Sequence, residues 1–205
     1  MDASVREILS LAEWRRTVSE LYADVRADVD PEHGWQRWCD ERRALFSSHE
    51  QSPIPAVDRP GYEGPNVFDY DPAARVTAEL IELEPQRIEV GTSDGSSTRF
   101  LRFARAAFSL YGQDGSLDVF WLDAYGGGLY LPFRDLTSGA TTYGGGRYLL
   151  DSVKGADLGA VQDRPILDFN FAYNPSCSYD ARWSCPLPPP SNRLPIEVPA
   201  GERLG

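Results

Sequence analysis

Apolar residues follow two different periods along this chain, helical at first and alternating later. Between Val5 and Val25, Leu11, Trp14, Val18, Leu21, Tyr22 and Val25 recur at steps of three and four, with Glu13, Arg15, Arg16 and Glu20 between them, which predicts an amphipathic helix. A second helix start is written at Asp30-Pro31-Glu32, since Asp30 can cap free backbone N–H groups and Pro31 suits the first helical position. Trp35, Trp38, Arg42, Leu45 and Phe46 then share one face, and Ser52-Pro53-Ile54-Pro55 ends the element.

From Phe68 onward the period becomes two. Val76, Ala78 and Leu80 alternate with Arg75, Thr77 and Glu79. Further strands are expected around Ile88 to Val90, Phe100 to Phe103, Ala106 to Leu110, Leu117 to Ala124, Leu129 to Phe133, Arg147 to Leu150, Ile166 to Ala172 and Leu194 to Val198. Ser93-Asp94-Gly95 reads as a turn, and Gln113-Asp114-Gly115 reads as a tight hairpin. Short strands at this spacing, with no βαβ alternation, predict a mainly β fold: an antiparallel β-barrel or sandwich preceded by a helical segment. Residues 1–51 form the helical lead-in packed on the core, and residues 52–205 the β domain.

Composition narrows the function classes. A formal charge of −11 argues against nucleic acid and against anionic lipid surfaces, because both need a basic face. No window approaches the run of about 18 apolar residues that a membrane helix requires. The N-terminal residues carry acids where a secretory leader carries bases, so a cytoplasmic location is expected. Lys154 is the single lysine, so nearly all positive charge is arginine.

Candidate chemistry is sparse. Cys39, Cys177 and Cys185 with His33 and His49 do not make a zinc-binding pattern, so neither metal nor cofactor is expected. Cys177 and Cys185, eight positions apart in a proline-rich stretch, could bridge; reduced, packed thiols are the favoured expectation in a reducing compartment. The glycine triplets at 126–128 and 144–146 lack the Lys-Ser/Thr of a phosphate loop and read as turns or as bare backbone beneath an aromatic ring. The densest polar cluster runs from Arg134 to Tyr179 and includes Asp135, Tyr143, Arg147, Tyr148, Asp168, Asn170 and Asn174. In a strand, Asp168, Asn170 and Ala172 would share a face that either meets water or lines a cavity. A network satisfying backbone groups is the competing explanation.

Three segments of that cluster carry a resemblance: Phe133-Arg134-Asp135-Leu136-Thr137-Ser138-Gly139, Thr142 to Leu149, and Leu167-Asp168-Phe169-Asn170-Phe171-Ala172-Tyr173-Asn174-Pro175. Together with Cys177, Tyr179, Cys185-Pro186-Leu187-Pro188-Pro189, Asn192-Arg193-Leu194-Pro195 and Ala200-Gly201-Glu202 they resemble domain of unknown function family 1684. Weaker agreement at Ser52-Pro53, Phe68, Asp71-Pro72 and Arg75 extends the resemblance over most of the chain. The resemblance implies no activity, cofactor or partner. The chain departs from the family pattern at Thr141 and Leu150, where the pattern carries acids, so a mechanism needing those carboxylates fails here.

Two functions follow as expectations. The leading one is a non-catalytic β-barrel protein in which Tyr143, Arg147, Tyr148, Asp168, Asn170 and Asn174 line a pocket for a small polar or anionic ligand. It requires Arg147 and the Asp168-Phe169-Asn170 face to converge on one hollow. The alternative is a hydrolase with Asp168 or Asp135 as general base and Arg147 with an asparagine stabilising charge. The helical segment, with Trp14, Trp35 and Trp38, either completes the chain's own core or supports a homodimer.

Overall fold

The computed structural model describes residues 3–205. Two helices open it, α1 (Ala3–Ala27) and α2 (Pro31–Ser48). Asp30 caps α2 as expected: its Oδ1 accepts from the backbone N–H of Glu32 at 3.0 Å and of His33 at 3.4 Å, and Pro31 takes the first turn. α2 ends at Ser48, before the prolines, and the His49 N–H donates back to the Leu45 carbonyl.

The rest is strands and loops. β1 (Arg75–Thr77), β2 (Glu79–Gly91), β3 (Ser97–Leu110), β4 (Gln113–Leu122), β5 (Leu129–Phe133), β6 (Arg147–Asp151), β7 (Ala160–Val161) and β8 (Arg164–Asp168) form two antiparallel sheets. One is a five-stranded meander in the order β2-β3-β4-β5-β6; the other is small, in the order β1-β8-β7. The fold is therefore mainly β with an N-terminal helical pair, and the described strands do not close into a barrel. β2 stays an edge strand and carries Pro85 in a bulge between Glu82 and Gln86, where a missing N–H costs nothing in the ladder.

Several expected boundaries moved, each for a local reason. The alternation through Val76, Ala78 and Leu80 is split between two sheets, with β1 pairing with β8 and β2 with β3. The tight hairpin is not at Asp114-Gly115. It lies three residues earlier, at Tyr111-Gly112, where both residues have positive φ (52° and 74°) and Leu110 pairs with Gln113, as a two-residue turn with this twist demands. Gly115 sits inside β4 opposite Phe108, and a Cβ there would lie 2.8 Å from the Phe108 ring, so this glycine makes room for an aromatic ring. Residues 194–198 form no strand; their apolar side chains enter the core from an irregular segment.

Packing places the C-terminal motifs between the two sides of the molecule. One cluster gathers Phe108, Leu110, Leu117, Val119, Phe133, Leu167, Phe169, Leu194, Ile196 and Val198. A second joins Leu21, Tyr22, Val25 and Trp38 from the helices to Phe100, Phe120, Tyr130, Tyr148, Phe171 and Tyr173. Consecutive residues Val119 and Phe120 enter different clusters, as period-two alternation requires, so the meander is covered on both faces. Trp38 is buried against Phe171, Trp35 meets Tyr70, and Trp14 stacks on Phe46, so each tryptophan of the helical stripe has a partner within the chain. No helix among the described residues is long and apolar enough to cross a membrane.

Candidate functional site

The expected site residues occupy two tight networks and the edge of a cavity. Arg147, at the start of β6, is 1% exposed. Its guanidinium donates to Asp135 Oδ2 at 2.7 Å, to the carbonyl of Val198 at 3.0 Å, to that of Glu202 at 3.2 Å and to that of Ala200, while Nε alone has no partner. Its carbon end lies over the Phe133 ring. Asp135 in turn accepts from the backbone N–H of Thr137 at 2.6 Å and from the Thr137 hydroxyl. The group clamps residues 198–202 onto the sheet. Burial pushes the Arg147 pKa below its ordinary value, and Asp135 opposes that push.

Asp168 ends β8 and is fully buried. The polar face imagined for residues 168–172 does not exist as a strand, because residues 169–171 turn into a single 3-10 turn that Asp168 caps. Asp168 accepts from Arg75 at 2.8 Å, from the Asn170 N–H at 3.1 Å and from Asn170 Nδ2 at 2.8 Å. Asn170 also exchanges two bonds with the Asp71 backbone at 2.8 and 2.9 Å, tying the chain ahead of β1 to the end of β8. Burial raises the Asp168 pKa against the opposing pull of Arg75 and Asn170. Arg147 and Asp168 thus belong to separate sets of partners, and neither lines any described cavity. General-base work by Asp168 or Asp135 needs a substrate contact that their burial withholds.

Tyr148 is buried, with its hydroxyl donating to the Pro186 carbonyl, and Tyr143 places its hydroxyl 3.9 Å from Cys177 Sγ. Its ring covers Gly145, where a Cβ would come within 2.2 Å. Asn174 differs from the others. Its backbone N–H donates to Glu202 Oε2 at 2.7 Å, but its buried side-chain Oδ1 has no hydrogen-bond partner.

Asn174 borders a cavity of about 50 Å³ between the helical pair and the C-terminal motifs. The other walls are Trp14, Val18 and Tyr22 of α1, Arg42 and Phe46 of α2, and Pro53, Lys154, Ala156, Tyr173 and Ser176 from the loops. Behind it stands an ion pair whose carboxylate is buried and whose arginine is partly so. Glu202, fully buried, accepts from Arg42 Nε at 3.0 Å and from its terminal nitrogen on one oxygen, and from the Asn174 N–H and the Tyr179 hydroxyl (2.9 Å) on the other. Arg42 also packs against Trp38, Phe46 and Tyr173, with its guanidinium carbon 4.7–5.1 Å from the ring centres. Burial works against the Arg42 charge, but Glu202 and its neighbouring tyrosines outweigh it and hold the pKa above the ordinary value. A smaller void of about 20 Å³ touches the same pair, bordered also by Cys39, Gly64 and Val67.

The cavity's polar groups are only partly engaged. Tyr22 Oη accepts from Trp38 Nε1 at 3.1 Å, which leaves its own proton to donate. The Tyr173 hydroxyl donates to Asp151 at 3.3 Å, and Lys154 pairs with the same carboxylate at 3.1 Å. Burial carries the Tyr22 and Tyr173 pKa values well above that of a free phenol, so both remain neutral donors. Among the described residues no three His, Cys, Asp or Glu side chains gather into a metal-binding group.

Of the residues expected to bind a ligand, only Asn174 borders this cavity. Arg42, Glu202, Lys154, Tyr22 and Tyr173 were not singled out for it. One signal was present: Arg42 stands in an otherwise apolar helix face with Trp38, Leu45 and Phe46, and a charge there implies a buried partner.

The C-terminal 70% of the chain is also where sequence comparison speaks. The model of the protein of unknown function family DUF1684 matches residues 60–203. This chain is a member of that family. A structure solved in solution by NMR, that of an uncharacterized protein of Haloarcula marismortui, is similar: it is 41% identical, covering 84% of this chain and 94% of its own, with a TM-score of 0.61. None of the curated proteins matches this DUF1684 chain. The α1–α2 pair lies outside the matched segment, so the cavity joins family residues such as Tyr173, Asn174 and Ser176 to side chains contributed from outside it.

Proposed function

We propose that this DUF1684 member holds a small polar ligand, without turning it over, in the cavity between α1, α2 and the Tyr173-Asn174 segment. The observation that carries the reading is the buried, unpartnered Asn174 Oδ1 beside a cavity of about 50 Å³. A buried acceptor without a donor costs about 1–3 kcal/mol, and a ligand that supplies the donor recovers that cost. The volume has room for roughly three waters, which limits the buried part of the ligand to a few non-hydrogen atoms. Asn174 Oδ1 asks for a donor, while Tyr22 and Lys154 offer donors of their own, so a group such as a primary amide fits better than a bare anion. Trp14, Val18, Phe46 and Pro53 would receive its apolar end.

The test is an NMR titration of the full chain with acetamide and, separately, with acetate, following the backbone amides of Tyr173, Asn174 and Ser176. Saturable shifts with acetamide that vanish in Asn174→Leu are expected. Shifts that persist unchanged in Asn174→Leu, or that appear with acetate alone, overturn the assignment of an acceptor-led site.

A further inference from the structure

Cys177 and Cys185 stand together, neither of them lining the cavity, and their surroundings are unequal. Cys185 is buried and held on both sides: its N–H donates to Ser93 Oγ at 3.1 Å, its carbonyl accepts from the Ser93 N–H at 2.9 Å, and Pro186 bridges Thr92. Cys177 is only partly buried and lies in the short 3-10 turn Ser176–Ser178. The Cys177 N–H donates to Cys185 Sγ at 3.3 Å, so the second sulfur sits against the first residue's backbone. The Tyr143 hydroxyl lies 3.9 Å from Cys177 Sγ.

We propose that Cys177 and Cys185 form a dithiol site that reduces a hydroperoxide, with Cys177 attacking first and Cys185 closing the disulfide. The Cys177 thiolate sulfur attacks one peroxide oxygen; the S–O bond forms, the O–O bond breaks, and the departing alkoxide takes a proton from water to leave as an alcohol. Cys177 is then a sulfenic acid. Cys185 sulfur attacks Cys177 sulfur, the S–S bond forms, the S–O bond breaks, and the leaving hydroxide takes the Cys185 proton to become water. Two thiols are oxidised by two electrons and one hydroperoxide is reduced by two, so the step balances without any further reagent.

The asymmetry assigns the order. The hydrogen bond from Cys185, helped by Ser93 and Tyr143 and opposed by burial, draws the Cys177 pKa down to about 6, while the same contact and burial push Cys185 far up. Cys177, the more exposed of the two cysteines and the one whose thiolate is favoured, thus meets the hydroperoxide first, and the buried Cys185 follows once the sulfenic acid forms. Cys39 supplies an internal control, because burial lifts its pKa to about 12.

The experiment treats reduced full-length protein with one equivalent of hydrogen peroxide, quenches with iodoacetamide and maps the peptides. A Cys177–Cys185 link is expected with Cys39 left alkylated, and Cys177 should react about tenfold more slowly at pH 5 than at pH 7 as its thiolate is lost. In Cys185→Ser, dimedone should trap a sulfenic acid at Cys177 with no link formed. Reaction of Cys177 no faster than that of Cys39, or a rate without this pH dependence, overturns the proposal. Both readings use the unaltered chain and stand even if the variant folds poorly.

Discussion

Two arginines, Arg147 buried and Arg42 partly so, are each paired with a buried carboxylate and do different work. Arg147 with Asp135 is wrapped by main-chain carbonyls of residues 198–202, and no described void touches it. Arg42 with Glu202 has aromatic rings packed on its guanidinium, and two voids border Arg42. The difference teaches that burial and charge do not by themselves make a site. A side chain whose bonds end on the backbone fixes the fold, whereas one that borders empty space beside an orphaned acceptor leaves something for a ligand to complete.

The contrast can be broken most forcefully at Arg147. Arg147→Ala strands Asp135 and frees three carbonyls, and should cost about 3–5 kcal/mol in urea unfolding, the usual loss when one member of a buried pair is removed. If that variant keeps wild-type stability, the clamp is not structural and the distinction fails. A smaller effect of opposite sign is expected on the other side. Asn174→Leu removes a buried acceptor that has no partner, and should stabilise the free protein by about 1 kcal/mol while abolishing the acetamide shifts. A stability gain paired with lost binding marks a functional position; a loss of stability marks a structural one.

The smallest effect concerns pH. Because burial raises the Asp168 pKa in the fold, its contribution to stability is fully present below the unfolded value of about 3.9 and is lost as pH rises through the raised folded value. Replacing Arg75, which holds that rise in check, by Met should steepen the decline above pH 4, and Asp168→Asn should flatten it. Urea midpoints measured across that range separate the three proteins.

Much of the architecture was written locally. The Asp30 cap, the proline stop and the period change near Phe68 are short-range signals, and the structure places both helices and most strands where they point. What was not legible depends on partners far away in sequence. Asp114-Gly115 reads as a turn until Phe108 is seen to need the space over Gly115, which leaves the turn to Tyr111-Gly112. Asp168-Phe169-Asn170 alternates like a strand, but Asp168 accepts the Asn170 N–H and curls the chain into a turn. The polar residues of the motif region were visible, but whether each ends on a carbonyl or beside a void is decided by tertiary packing. Arg42 and Glu202 meet across 160 positions, and no window of sequence shows that.

That long span also governs how the molecule can be made. α1 and α2 leave the ribosome early, yet the carboxylate that neutralises Arg42 is synthesised 160 residues later, in the same short stretch that Arg147 grips. Until translation reaches that stretch Arg42 has no carboxylate, and Arg147, already paired with Asp135, lacks the three carbonyls that complete its burial. Assembly must therefore wait for residues 198–202, and a nascent chain stalled before Val198 carries an unmatched Arg42, an Arg147 short of three acceptors and exposed aromatic surface, which makes it a substrate for chaperones and proteases rather than a partly working protein.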